Sequence, residues 1–412
     1  MKKFNTLELF AGCGGLVDGF EKSDYFHTVA AVEWKRGACE VLTSRLESKY
    51  KYTDARNRVL NFDIQRVSEL LNGWEDDPEF GSHEGLKSIV GEQSVDIVAG
   101  GPPCQAYSIA GRVQDEHGMR NDYRNYLFES YLEVVKEFSP KLIVFENVEG
   151  MLSAAPDGEK VVEKIKRGFD QYGYELIEDI KGQALLNMAD FEVPQSRKRV
   201  ILVGINRNYM KEGSNAQELL DMFYNVILPG YKGENNTVRR AIGDLPPFYP
   251  AEEEYKLGRR RFSHEPEQSV INGHVPRYHN KRDIEIFRIL AEDIHTGENR
   301  YQKAEALKEL YKQKTGKTSN VHKYYVLRWE QPGNTIPAHL KKDGLRHIHP
   351  DPKQARSITV REAARLQAFD DDFEFTGRPG EDYEMIGNAV PPLFSMKLAE
   401  AVKEFMDILS DR

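Results

Sequence analysis

The sequence predicts an α/β protein that carries a second, smaller and more irregular domain. Short apolar runs of strand length alternate with helix-length periodic stretches up to about residue 205, the pattern of a sheet with helices on its faces. From about Asn206 to Ser357 Pro and Gly are scattered, charge is dense and periodicity is weak. Regular structure then returns towards the C-terminus. With 412 residues and 40% hydrophobic residues, the chain can bury two cores.

The expected strands are Thr6–Phe10, Val29–Glu33, Val59–Phe62, Val95–Ala99, Leu142–Glu146 and Val200–Ile205, each ending in a turn or loop. Helical spacing covers Leu16–Lys22, Gly37–Ser48, Tyr126–Phe138 and Lys160–Tyr172. A single helical region, Asp283–Gln313, interrupts the irregular part, and helices follow at Val360–Phe369 and Pro391–Leu409. The expected division is 1–205 plus 375–412 for the large domain and 206–374 for the smaller one. Ligands in open α/β sheets lie beyond the carboxyl ends of the strands, so residues there are the first candidates for function.

Composition narrows the class. No run of about 18 apolar residues and no apolar signal core occur, so a soluble, cytoplasmic protein is expected, without a membrane partner. Three cysteines, Cys13, Cys39 and Cys104, form no close pair, which disfavours a zinc clamp or a disulfide framework, and no metal site is expected. The net charge is -9, yet residues 271–350 hold 15 Lys+Arg against 9 Asp+Glu, a basic section on an acidic body. Its Lys-rich helices also read as solvated faces. Seven of the 11 histidines fall in the same section, where polar surface or phosphate contacts are expected.

Two loops carry the chemistry. Phe10-Ala11-Gly12-Cys13-Gly14-Gly15 follows the first strand and opens a helix, and Glu33 ends the second strand. Glycines allow a tight turn with close backbone approach to a ligand, and a carboxylate there can accept from ribose hydroxyls, so an adenosine-bearing cofactor fits. The loop lacks the full G-x-G-x-x-G spacing and also reads as a structural turn. Asp63, after the third strand, could meet the cofactor base or cap a helix. In the second loop, Gly100-Gly101-Pro102-Pro103-Cys104-Gln105, two prolines fix the backbone ahead of a solitary cysteine, as a positioned nucleophile requires. Cys39, within a helix, reads as a buried structural thiol.

These segments resemble, in order, the motifs of the DNA (cytosine-5)-methyltransferases of restriction-modification systems. Gly-Pro-Pro-Cys104-Gln is similar to their catalytic loop, Phe10-Ala11-Gly12-x-Gly14-Gly15 and Glu33-Trp34 to their cofactor motifs, and Glu146-Asn147-Val148 to their acid motif. Gln195-x-Arg197-x-Arg199 matches their arginine motif, and Arg361 to Gln367 precedes a match to their closing motif, Gly387-Asn388-Ala389-Val390-Pro391-Pro392.

The resemblance implies a Rossmann-like S-adenosylmethionine-dependent methyltransferase domain, with residues 206–374 as a smaller target-recognition domain and hinge. It implies S-adenosyl-L-methionine as cofactor, held by Phe10, Ala11, Gly12, Gly14, Gly15, Leu16, Glu33, Trp34, Asp63, Ile64, Pro102, Asn388, Ala389 and Val390. Cys104 would add to cytosine C6, Glu146 would engage N3 and the exocyclic amine, Arg197 would hold the base carbonyl and support Cys104 or Glu146, and Arg199 would orient that group.

The implied partner is double-stranded DNA with its target base swung out of the stack, together with a cognate restriction endonuclease or other defence components; a monomer is expected. Ser108 to Asn125 would be the closing catalytic loop, and the basic section with Arg259-Arg260-Arg261 would meet phosphates. The tRNA-methylating branch shares these motifs, but the Cys-Phe-Thr tripeptide it carries is absent. A nicotinamide-dependent oxidoreductase would leave Cys104 and Glu146 unexplained.

Overall fold

The structure, a computed structural model, describes residues 3–102, 127–155, 158–265, 271–318 and 324–411. The chain falls into two compact units, Met1–Phe191 with Lys198–Gly233 and Val390–Arg412, and Glu192–Arg197 with Glu234–Ala389. These bounds differ from the expected ones at both ends. Residues 206–233 belong to the first unit, where Tyr224 is anchored on the sheet, its hydroxyl donating to Ile201 O and accepting from Val203 N. Residues 375–389 belong to the second.

The first unit is built on one eight-stranded sheet, numbered here in chain order: β1 Phe4–Leu9, β2 Phe26–Glu33, β3 Val59–Asn61, β4 Ile97–Gly100, β5 Leu142–Val148, β6 Tyr174–Glu175, β7 Leu185–Asn187 and β8 Lys198–Asn206. The spatial order is β3-β2-β1-β4-β5-β8-β6, with β7 also paired to β8. Strands β3 to β5 run parallel and β8 returns antiparallel. The central strands are apolar and buried along nearly their whole length, as a sheet covered on both faces requires.

Helices α1 Gly15–Lys22, α2 Arg36–Ser48, α3 Leu127–Phe138 and α4 Val161–Gln171 match the sequence expectation within a residue or so, as does the C-terminal helix Pro392–Asp411. Two contacts hold α1 in place. Asp18 forms a fully buried pair with Arg45 of α2 at 2.5 Å, and the Tyr50 hydroxyl donates to the same carboxylate at 2.8 Å. On its other side, Gly19 lies so close to the C-terminal helix that a Cβ would come within 2.2 Å of Ser395 Cβ, so only glycine is accommodated.

The chain builds outward from β1 through β2 to β3, then crosses back to place β4 on the opposite side of β1. The carboxyl ends of β1 and β4 therefore flank the point where strand order reverses, which is where an open α/β sheet leaves a crevice. Both loops singled out from sequence leave from those two ends.

In the second unit, a hairpin pairs Tyr249–Leu257 with Arg260–Glu265, an element the local sequence pattern does not resolve. The region expected as one helix is two, Lys281–Thr296 and Ala304–Thr315, because Gly297 adopts a left-handed C-cap. Their shared core includes Ile286, Phe287, Leu290, Leu307 and Leu310. Helix Val360–Leu366 begins with a capping box between Thr359 and Glu362. Glu362 also pairs through both oxygens with Arg356, at 2.6 and 2.7 Å, with each side chain 1% exposed.

The same unit buries histidines expected at the surface. His274, His279, His347 and His349 are buried, and so is His264. Ring nitrogens of three are matched to the interior: His274 to Thr359 Oγ1 and Pro246 O, His279 to Ser357, and His264 to Gln354 O. Among the described residues no group of three His, Cys, Asp or Glu is placed to hold a metal ion.

Candidate active site

The turn after β1 has the backbone its glycines suggest. Phe10 itself is left-handed at φ 57°, followed by Gly12 at 56° and Gly14 at 90°. A non-glycine residue held there stores local strain, a feature that concentrates at functional turns. A Cβ added at Gly12 would meet nothing within 4 Å, so the backbone faces open space that a ligand could use. Glu33 ends β2 beside it, one carboxylate oxygen accepting from Gly12 N at 2.9 Å and the other from Lys35 N at 2.8 Å. Burial raises the Glu33 pKa, while the N–H donors oppose that shift.

Trp34, next in sequence, is 51% exposed. Ala11, Leu16 and Ile64 are buried, and half-buried Asp63 accepts from Gln65 N at 3.0 Å, a local turn of the kind that was its alternative reading. Phe10, Gly12, Gly14, Gly15, Glu33 and Trp34 thus lie at neighbouring strand ends. Their open glycine, acidic strand end and flat exposed ring suit an adenosine-bearing sulfonium cofactor.

Glu8, which sequence reasoning missed, sits on β1 behind this turn. Its carboxyl is pushed well above the usual range by burial and by the nearby Glu33. A lone acid inside the apolar run Leu7-Glu8-Leu9 was the available signal.

The second loop leaves β4. Gly100 is required by strand packing, since a Cβ would lie 2.3 Å from Leu9 O on β1. Gly101 lies against the acid motif: a Cβ would lie 2.6 Å from Glu146 Oε2 and 3.0 Å from Glu146 O, so a larger residue would push on the Glu146 side chain. Asn147, buried beside it on β5, donates to Pro102 O at 3.4 Å. The two glycines and Asn147 therefore lay the start of the cysteine loop along the end of β5. Cys104 itself, and the expected closing loop Ser108 to Asn125, lie outside the described residues. Cys13 and Cys39 are buried, and burial raises the Cys39 pKa.

At the end of β5, Glu146 pairs with Arg199 of β8, Nε to Oε1 at 2.9 Å, with both side chains 14% exposed. The antiparallel register explains the pair. Glu146 lies opposite Ile201, so Arg199 is its diagonal neighbour on the same sheet face. A mostly dry ion pair of this kind holds a carboxyl in one direction.

The arginine motif is corrected on this point. Arg197, expected to hold the substrate base and support the acid, is 1% exposed and donates to main-chain carbonyls in the second unit: Ile336 O at 3.1 Å, Gly387 O at 3.0 Å and Ala389 O at 3.1 Å. Arg199, expected only to orient, is the one on Glu146. Arg197 lies between the short strand Gln195–Ser196 and β8, whereas Arg199 is on β8 itself, and spacing alone cannot say which meets the acid. Of the closing motif, Ala389 is buried, Val390 half-buried, and Asn388 exposed at the end of helix Pro379–Asn388.

The geometry of Gly101 yields an expectation. Gly101→Ala should move Glu146 off its position and lower kcat for group transfer by about 10- to 100-fold, the range a displacement of about 1 Å can cause. Cofactor affinity at the β1 turn should stay within about twofold. Steady-state kinetics and a cofactor titration check both, and an unchanged kcat would sink the steric argument.

A large, mostly parallel sheet thus carries a glycine turn at its switch point and an acid-arginine pair on the neighbouring strands, the frame of an α/β nucleotide-cofactor enzyme. In fold the chain is similar to an Escherichia coli prophage-encoded protein described as a DNA modification methyltransferase, with a TM-score of 0.60 and 20% identity over 98% of this chain and 100% of that one. A family model, the C-5 cytosine-specific DNA methylases, matches residues 4–404, and the chain belongs to that family of enzymes. It is 35% identical to the type II methyltransferase M.Bpa9945I of Bacillus paralicheniformis, covering 98% of this chain and 99% of that protein. It is also 30% identical to the type II methyltransferase M.Eco47II of Escherichia coli, covering 99% and 81%.

Proposed function

We propose that the protein transfers the methyl group of S-adenosyl-L-methionine to C5 of a cytosine within a specific double-stranded DNA sequence, through a covalent adduct on a base swung out of the helix. The observation that carries this reading is the Glu146–Arg199 pair set against Gly101, three residues before Cys104. Phe10 to Leu16, Glu33, Trp34, Asp63 and Ile64 would hold the cofactor, with Pro102 closing its methyl end; the closing motif, Asn388 to Val390, is assigned to it by resemblance. Bound there, S-adenosyl-L-methionine supplies an electrophilic methyl group for C5.

The chain supplies the rest. The Cys104 thiolate forms a bond to C6, and the C5–C6 π electrons shift onto C5. Glu146 takes the N3 and exocyclic-amine edge, drawing charge from the ring as sulfur attacks and distinguishing cytosine from thymine. Arg199 fixes the Glu146 carboxyl and offers its remaining donors to the base carbonyl. Once C5 has taken the methyl group, leaving S-adenosyl-L-homocysteine, a base such as a water molecule takes the C5 proton, the C–H electrons re-form the C5–C6 double bond, and the sulfur–C6 pair returns to Cys104 as thiolate.

A base inside a duplex cannot reach a strand-end crevice, which is why extrusion belongs to the proposal. The second unit is proposed as the target-recognition domain. It holds the basic section, and Arg259, Arg260 and Arg261 are exposed at the turn of its hairpin, suited to phosphate contacts. The names of the curated relatives support a pairing with a cognate restriction endonuclease.

Incubation with radiolabelled S-adenosyl-L-methionine, unmethylated plasmid DNA and total RNA tests the reading. Label should enter DNA alone, and sequencing should place 5-methylcytosine at one recurrent sequence. Label confined to RNA, or to another base position, would overturn it.

A further inference from the structure

Within the first unit, one side-chain amide grips the two residues at the end of β2. Trp34 lies between β2, which stops at Glu33, and α2, which starts at Arg36 with Lys35 as its N-cap, so neither element sets its backbone. Its ring is 51% exposed, which leaves its direction less to packing than to the main chain beneath it. Asn61, the last residue of β3, lies opposite Glu33 in the parallel register. Its Nδ2 donates to Glu33 O at 3.1 Å and to Trp34 O at 2.6 Å.

Past the last paired residues, Glu33 and Asn61, the Asn61 side chain serves as one more rung and reaches Trp34 where the strand itself has stopped. Glu33 O also accepts from Phe62 N at 3.1 Å and from the Cys39 thiol at 3.3 Å. The Glu33 carbonyl therefore keeps two donors when the amide is removed, and the shorter of the two amide bonds is the one on Trp34. An aromatic residue held by its main chain in this way meets a flat ligand already oriented, so less ordering entropy is charged against binding.

We propose that Asn61 is a positioning residue for the adenine of S-adenosyl-L-methionine: by holding the Glu33 and Trp34 carbonyls together it aims the Trp34 ring on which adenine stacks. Nothing local marks Asn61 for this role, since it lies 27 residues beyond Trp34. The proposal rests on the place given to Trp34 in the cofactor site above, and the test separates the two.

The experiment is a double-mutant cycle on the full-length protein, using Asn61→Leu and Trp34→Ala singly and together. Titration calorimetry gives the Kd for S-adenosyl-L-methionine in each variant. Asn61→Leu keeps the size of the side chain and removes its donors. It should weaken binding about five- to tenfold, with kcat for plasmid methylation at saturating cofactor within about twofold of the parent. Trp34→Ala should weaken binding about 10- to 100-fold through loss of the stacked ring. In the Trp34→Ala background, Asn61→Leu should weaken binding less than about twofold, because the ring it aims is gone.

Equal fold-losses in both backgrounds would overturn the proposal and leave Asn61 with a general structural role at the end of β3. So would an unchanged Kd in Asn61→Leu. An unchanged Kd in Trp34→Ala alone would instead remove Trp34 from the cofactor site, and the proposal with it. Should Asn61→Leu fail to fold, Asn61→Ala enters the same cycle. It removes the same donors from a half-buried position without adding apolar bulk, and the same coupling to Trp34→Ala is expected, full additivity again overturning the proposal.

Discussion

Cys104→Ser should abolish methyl transfer, lowering kcat by about 10⁴-fold or more, while leaving S-adenosyl-L-methionine binding within about threefold of the parent. A serine hydroxyl is far less ionised than a thiol near neutral pH, so the attack on cytosine C6 loses its nucleophile. Removal of the nucleophile from a covalent mechanism is among the costliest single changes an enzyme can suffer. Cofactor binding is spared because Glu33 and the Gly12 turn are held by β1 and β2, independently of the cysteine loop.

A DNA substrate with fluorine in place of the C5 hydrogen sharpens the test. Without a C5 proton to lose, the sulfur–C6 bond cannot be released after methylation. The parent enzyme should therefore form a denaturant-resistant complex with that DNA, and the serine variant should form none. Catalysis by Cys104→Ser at more than about a hundredth of the parent rate would rule out the covalent route.

The second large effect concerns stability in mild acid. Burial, aided by neighbouring cationic groups, lowers the His264 and His347 pKa values to about 4 and those of His279 and His349 to about 3. In the unfolded chain each titrates near 6.5. A depressed histidine pKa stabilises the fold fully above the unfolded value and progressively less below it, because the unfolded state then takes up protons that the folded state refuses.

At pH 5 each could cost up to about 2 kcal/mol, and the set several kcal/mol in total. Glu362 is held well below the ordinary carboxylate range by Arg356 despite its burial. Its contribution is present above the unfolded carboxylate value near 4.5 and is lost only as the pH falls below that, so it cannot account for a loss beginning near pH 6.5. Urea unfolding followed by tryptophan fluorescence should show the change, since Trp329 packs edge-on against His349 at 5.3 Å. A midpoint unchanged between pH 7 and pH 5 would refute the account. The protected form should thus be the neutral-pH one.

Much of the site is legible in the amino-acid sequence. Strand lengths, the glycine turn, the proline-stiffened cysteine and the acidic strand ends are local signals: each reflects what a backbone of those residues can do within a few positions. The class of fold and the order of the motifs follow from such signals. The strand carrying Glu146 and the turn carrying Gly12 fall within a residue or two of their expected places for that reason.

Other features depended on distant partners. Which arginine of Gln195-x-Arg197-x-Arg199 meets the acid is decided by the register of β8 on β5 and by three carbonyls lying about 140 to 190 residues further along the chain. The hydrophilic cast of residues 271–350 suggests surface histidines, but four of the six among the described residues are interior. Hydrogen bonds to Thr359, Ser357 and other interior groups help to offset the burial of such rings, and those groups are not sequence neighbours.

Gly101 reads locally as a loop glycine, and only the approach of Glu146 from another strand makes a larger residue there displace the acid. Local sequence thus determined the chemistry available to this protein, because residue type and short-range backbone preference are properties of the chain itself. Tertiary structure decided which groups act and which only hold, because that depends on a pairing register and on buried hydrogen bonds formed after distant segments meet.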